Sequence, residues 1–141
     1  MQVCVIYAGK TREDEHLKGI AASLAKGLES QGHNVDLINM YTDTDKKLAF
    51  YDYILLGSSS KTGFGGNLPD VVCAYLHRTA QLSGKRSFAF VSNGGIRKQK
   101  TLSVLMKAME GEGMYLKSQD VIKNKDVALA IGKRLNVERN L

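Results

Sequence analysis

The sequence predicts an α/β fold in which a doubly wound, five-stranded parallel sheet carries helices on both faces. Three observations predict it. Short, nearly all-apolar runs at residues 2–7, 53–56 and 86–91 have the composition of strands buried on both faces. Stretches with apolar residues at helical spacing separate most of the strand-like runs, and strands that alternate with helices imply parallel pairing through crossovers. Three runs open into glycine-bearing loops that begin at Ala8, Ser58 and Ser92. A parallel sheet brings such loops to its carboxyl end, where open sheets bind ligands at the point of strand-order reversal.

Taken in order, residues 2–7 (QVCVIY) form the first buried strand, which stops at Ala8 and Gly9. Thr11 and Asp14 have capping-box spacing, and Leu17, Ile20, Ala21, Leu24 and Leu28 then recur at helical intervals. The first helix is therefore expected over residues 12–30, with Gly32 as its stop. Residues 34–40 (NVDLINM) alternate apolar and polar side chains, as a strand near a sheet edge does. A polar connection over 41–50, without helical pattern, leads to the third strand. The next helix is expected to start near Asn67 as N-cap, with Pro69 in its first turn, burying Val72, Tyr75 and Leu76. The fourth strand follows at 86–91. Leu102, Leu105, Met106 and Met109 mark a third helix, residues 114–122 an outer strand, and Val127, Ala128, Ile131 and Leu135 a last helix.

Length and composition bound the reading. The 141 residues, 43% hydrophobic and 24% charged, suit a single globular domain over the whole chain. No apolar run approaches a membrane span, and Met1 leads directly into a strand-like run, so the expected location is cytoplasmic, with no membrane partner. The net charge of +6, from 20 Lys plus Arg against 14 Asp plus Glu, favours anionic ligands or acidic partners. Recognition-helix, RNA-binding and metal-finger patterns are absent, which argues against nucleic acid. His16, His33 and His77 lack ligand spacing, so no metal site is expected. Cys4 and Cys73 fall in apolar patterns and read as small buried side chains. No serine-nucleophile motif is present.

The chemistry-bearing stretch is residues 51–69, YDYILLGSSSKTGFGGNLP. Ser58, Ser59, Ser60 and Thr62 offer hydroxyls, while Gly63, Gly65 and Gly66 let the backbone turn and approach a partner closely. Phe64, an aromatic ring among glycines, either folds back on the core or covers an arriving ligand. Plain turn material is the alternative reading of the same loop. Ser92, Asn93, Gly94 and Gly95 form a second loop of this type.

These residues resemble the flavodoxin family over almost the whole chain. VCVIYAGKT resembles the family's opening strand and phosphate loop, and GHNVDLINM its second strand. YDYILLGSSSKTGFGGNLPDVVCAYL is similar to the third strand, flavin loop and following helix, and GKRSFAFVSNGG to the fourth strand and second flavin loop. The resemblance implies strand order 2-1-3-4-5 and noncovalently bound FMN. It also implies a role as an electron carrier or flavin-binding domain, or alternatively as an FMN-dependent oxidoreductase. The partner would be a redox protein or a small-molecule electron acceptor. By matching position, Gly9, Lys10, Thr11 and Arg12 would face phosphate, residues 58–66 would border the ring with Phe64 stacking on it, and residues 92–95 would close the other side.

Two departures qualify what the resemblance implies. The family's Ser/Thr-x-Thr-Gly-x-Thr segment keeps only Lys10 and Thr11 here, and its Gly-x-Thr portion is replaced by Arg12, Glu13 and Asp14. Thr11 and Asp14 would then cap their own helix and use the donors a phosphate needs, whereas Lys10 and Arg12 would add compensating charge. In addition, carriers of this family tend to be acidic, and this chain is basic. An RKQK segment at 97–100 suits an acidic partner or anionic substrate, or simply a solvated surface. A degenerate member that binds no FMN, and uses the strand-end surface for a protein or small anion, is the alternative function.

Overall fold

A computed structural model describes residues 1–44, 47–61, 66–92 and 97–137. Its strands are β1 (Gln2–Ala8), β2 (Asn34–Asn39), β3 (Tyr53–Ser58), β4 (Arg86–Ser92) and β5 (Tyr115–Ile122). The helices are α1 (Glu15–Ser30), α2 (Asp70–Arg78), α3 (Lys98–Gly111) and α4 (Lys125–Arg134). All strands pair in parallel in one sheet of order β2-β1-β3-β4-β5, as the resemblance implies. The strand order reverses between β1 and β3, the position at which loops diverge to either side.

Strand alternation divides the apolar residues between two faces. On one face Cys4, Ile6, Ile54, Leu56, Ala89 and Val91 pack against Val72, Tyr75 and Leu76 of α2 and Leu102, Leu105 and Met109 of α3. On the other, Val3, Val5, Tyr53, Leu55, Phe88 and Phe90 pack against Leu17, Ile20, Leu24 and Leu28 of α1 and Ala128 and Ile131 of α4. The edge strand β2 keeps only Ile38 buried along its length, in line with its alternating sequence.

α1 and α4 meet backbone to backbone at Gly27 and Gly132. A Cβ on Gly132 would lie 2.5 Å from the Leu24 carbonyl oxygen and 3.0 Å from the Gly27 Cα. The Gln31 side-chain amide completes the junction by donating to the Gly132 carbonyl at 2.6 Å and the Leu135 carbonyl at 3.0 Å.

Three expectations are corrected. α1 starts at Glu15, not residue 12, because Asp14 and not Thr11 is its N-cap. α2 starts after Pro69, whose ψ of 145° is extended, so the proline precedes the helix and Asn67 does not cap it. Cys73 is exposed on α2, while Cys4 is buried as expected and burial pushes its thiol up, away from the reactive thiolate. Among the described residues, no helix is long and apolar enough to cross a membrane, and no cluster of His, Cys, Asp or Glu has the makings of a metal site.

Candidate functional site

The ends of β1, β3 and β4 are held side by side. Ala8 pairs with Ser58, and Ser58 with Val91, so Gly9, Ser59 and Ser92 lie side by side at the carboxyl end of the sheet. The Ser59 amide donates to the Ala8 carbonyl at 3.2 Å and extends this alignment one residue past the strand.

Asp14 lies at the centre of this edge. Its extended backbone, with φ −70° and ψ 91°, turns the carboxylate over the first turn of α1. One oxygen, Oδ1, accepts from the Leu17 amide at 3.1 Å. The other, Oδ2, accepts from the Lys10 amide at 3.1 Å and the Ser59 hydroxyl at 2.9 Å. The Ser59 and Ser92 hydroxyl oxygens lie 3.2 Å apart, which links three chain segments through side chains alone. Partial burial works to raise the Asp14 carboxyl, but the Leu17 and Lys10 amides, the Ser59 hydroxyl and nearby His16 outweigh it and hold the group below its usual value. Asp14 is therefore an anion at neutral pH.

The loop from β1 to α1 is shaped around that carboxylate. A Cβ on Gly9 would sit 2.2 Å from the Asp14 Cβ, so only glycine allows the side chain to lie back over the strand end. From the β2 side, the Tyr41 hydroxyl donates to the Gly9 carbonyl at 2.8 Å, and the Asn39 side-chain amide reaches the Arg12 carbonyl at 3.5 Å.

Nine of the candidate ligand residues fall among the described ones. Gly9 is buried, and Lys10, Thr11 and Arg12 are exposed beside it. Ser58, Ser59, Ser60 and Ser92 are all buried, and the Ser58 hydroxyl turns back to the Ser59 carbonyl at 2.7 Å. Gly66, at φ +90°, donates its amide to the Thr101 hydroxyl at 2.6 Å. The Lys61 amide donates to the Asn67 carbonyl at 3.0 Å and closes the base of the loop. Thr62, Gly63, Phe64, Gly65, Asn93, Gly94 and Gly95 lie outside the described residues, the expected ring-stacking Phe64 among them.

Sequence reasoning did not foresee two supports of this edge. Tyr41 had no motif to mark it, and Thr101 lay inside a helical pattern. Arg97 and Lys100 flank Gly66, where a Cβ would lie 3.5 Å from the Arg97 guanidinium carbon and 3.3 Å from Lys100 Cγ. A hollow of about 430 Å³ lies away from the carboxyl ends of the strands, between β5 and the end of α4. Its lining includes Tyr53, Phe88, Lys117 and Arg134.

The seat at the α1 N-terminus does not fit a phosphate as it stands. The Lys10 and Leu17 amides and the Ser59 hydroxyl, three donors that an anion seated here would need, already serve the ionised Asp14.

No protein-family model and no curated protein matches the sequence. Solved structures match the fold instead. A flavodoxin from the domain Archaea superposes with a TM-score of 0.70 at 22% identity, covering 96% of this chain and 93% of its own. Oxidised flavodoxin 1 from Bacillus cereus gives 0.71 at 17% identity, covering 96% and 100%. Two-electron-reduced flavodoxin from Megasphaera elsdenii gives 0.69 at 18% identity, covering 94% and 99%.

Proposed function

We propose that this chain, which has the flavodoxin-like fold, holds a flavin at the carboxyl ends of β1, β3 and β4 and works in electron transfer or flavin-linked reduction. One observation carries the reading: three loops rich in hydroxyls and glycine leave adjacent strands at the reversal of strand order. A bound flavin supplies one- and two-electron redox chemistry of its own, so no protein acid, base or nucleophile is required. The part left to the chain is positional. Buried Ser59 and Ser92 fix the floor of the site through their shared hydrogen bond.

The partner is a redox protein or a small-molecule electron acceptor. The chain's excess of positive charge, with exposed Lys10, Arg12, Arg97 and Lys100 at this end, suits an acidic one. The occupied anion seat at Asp14 favours a second reading, in which the chain holds no flavin and the same strand-end surface docks a protein.

The visible spectrum of the purified protein, and quenching of free flavin fluorescence on titration with the protein, separate the two readings. Flavin absorbance or saturable quenching at about 10 µM or below is expected. A colourless protein that quenches neither FMN nor riboflavin refutes the flavin reading.

A further inference from the structure

We propose that Asp14 is a built-in replacement for the cofactor's phosphate, so that the site takes a flavin whose tail ends in a neutral hydroxyl, of the riboflavin kind, in preference to FMN. The inference rests on the flavin reading for its ligand and on Asp14's geometry for its selectivity.

Asp14 already fills the seat that joins the Lys10 amide, the Leu17 amide and the Ser59 hydroxyl. Its three donors converge on the two carboxylate oxygens at 2.9 to 3.1 Å, so an arriving phosphate would have to displace Asp14 to accept from them. The space is matched to the side chain, since the Gly9 hydrogen faces the Asp14 Cβ where any larger residue would collide. The charge is fixed in place. A second anion brought within about 4 Å of a carboxylate near a protein surface loses about tenfold or more in affinity. Lys10 and Arg12 are exposed, where solvent and salt screen them, and they do not cancel an anion held on three hydrogen bonds.

A neutral tail meets none of this. A terminal hydroxyl is both donor and acceptor, and it can donate to a carboxylate where a phosphate dianion cannot. The residue that repels FMN thereby becomes a partner for the shorter flavin.

Fluorescence titrations of the intact chain, its Asp14→Asn variant and its Asp14→Thr variant, each with riboflavin and with FMN, test the selectivity. Asn caps a helix about as well as Asp and keeps the fold while removing the charge. Wild type is expected to bind riboflavin about tenfold or more tightly than FMN. Both variants should shift the ratio toward FMN, and Asp14→Thr should shift it furthest. A parallel amide-resonance titration with inorganic phosphate reads the seat without any flavin. The Lys10 and Leu17 amides should stay put in wild type up to millimolar phosphate and move saturably in Asp14→Thr. If wild type quenches neither flavin while the phosphate titration behaves as expected, the flavin reading fails and the occupied seat stands. FMN binding wild type as tightly as riboflavin, saturable phosphate shifts in wild type, or variants that leave the ratio and the amides unchanged would each overturn the proposal.

Discussion

Replacing Gly132 by alanine sets two known effects against each other at the α1–α4 junction. Alanine is the better helix former by about 1 kcal/mol, and in an open helix it stabilises. At this position the new methyl would stand 2.5 Å from the Leu24 carbonyl oxygen, 3.0 Å from the Gly27 Cα and 3.1 Å from the Leu28 nitrogen. All three are backbone atoms, so no side-chain rotation relieves the overlap. The helices must part by several tenths of an ångström. A gap of about 0.5–1 Å forfeits a quarter to a half of each dispersion contact it opens. The contacts affected include buried Leu24, Leu28, Ala128 and Ile131, and the Gln31 bonds to the Gly132 and Leu135 carbonyls stretch with them. Overpacking of this kind costs about 3 kcal/mol, which leaves a net loss of about 2 kcal/mol and a fall in Tm of about 7 °C for a chain of this size. Thermal unfolding followed by far-UV circular dichroism measures it. Gly111→Ala, at a position with nothing within 4 Å, serves as the control and should not lower Tm. A Gly132→Ala variant as stable as wild type would refute the close helix contact.

Two further outcomes follow from the strand-end network. Asp14 has its carboxyl held below the unfolded value, so its contribution to stability is fully present above about pH 4 and is lost as pH falls through the folded value. Urea midpoints between pH 2.5 and 7 should therefore fall less on acidification in Asp14→Asn than in wild type. Identical slopes would show that the carboxylate is not held by its three donors. Tyr41→Phe removes the donor to the Gly9 carbonyl and should cost about 1 kcal/mol, with faster amide exchange confined to the loop between β1 and α1. Exchange rates there equal to wild type would place the phenol elsewhere.

The central strands were legible because β1, β3 and β4 are buried on both faces, and burial on both faces leaves continuous apolar runs. Helix starts were less legible where two residues compete for one role. Thr11 and Asp14 both have cap chemistry, and only the position of Lys10 and Ser59 in space favours the aspartate. Pro69 is equally suited to a first turn and to the extended residue before one, and the chain takes the second. Cys73 sits among apolar neighbours in sequence, but it projects from the outer side of α2. The Asp14–Ser59–Ser92 chain could not be read at all, because its members are 45 and 33 positions apart and meet only once the sheet is assembled. What the sequence did carry was the substitution pattern at residues 12–14, which already suggested that a carboxylate would compete for the helix donors.

The hydroxyl chain at the strand ends also has a direction. An ionised carboxylate only accepts, so the single proton of Ser59 goes to Asp14, and the bond between the serines must be donated by Ser92. With its proton committed inward, Ser92 has only lone pairs left to offer. The end of β4 thus presents an acceptor to whatever arrives, and a ligand edge carrying an N–H or O–H matches it where a carbonyl edge does not. Asp14 sets this polarity from two residues away.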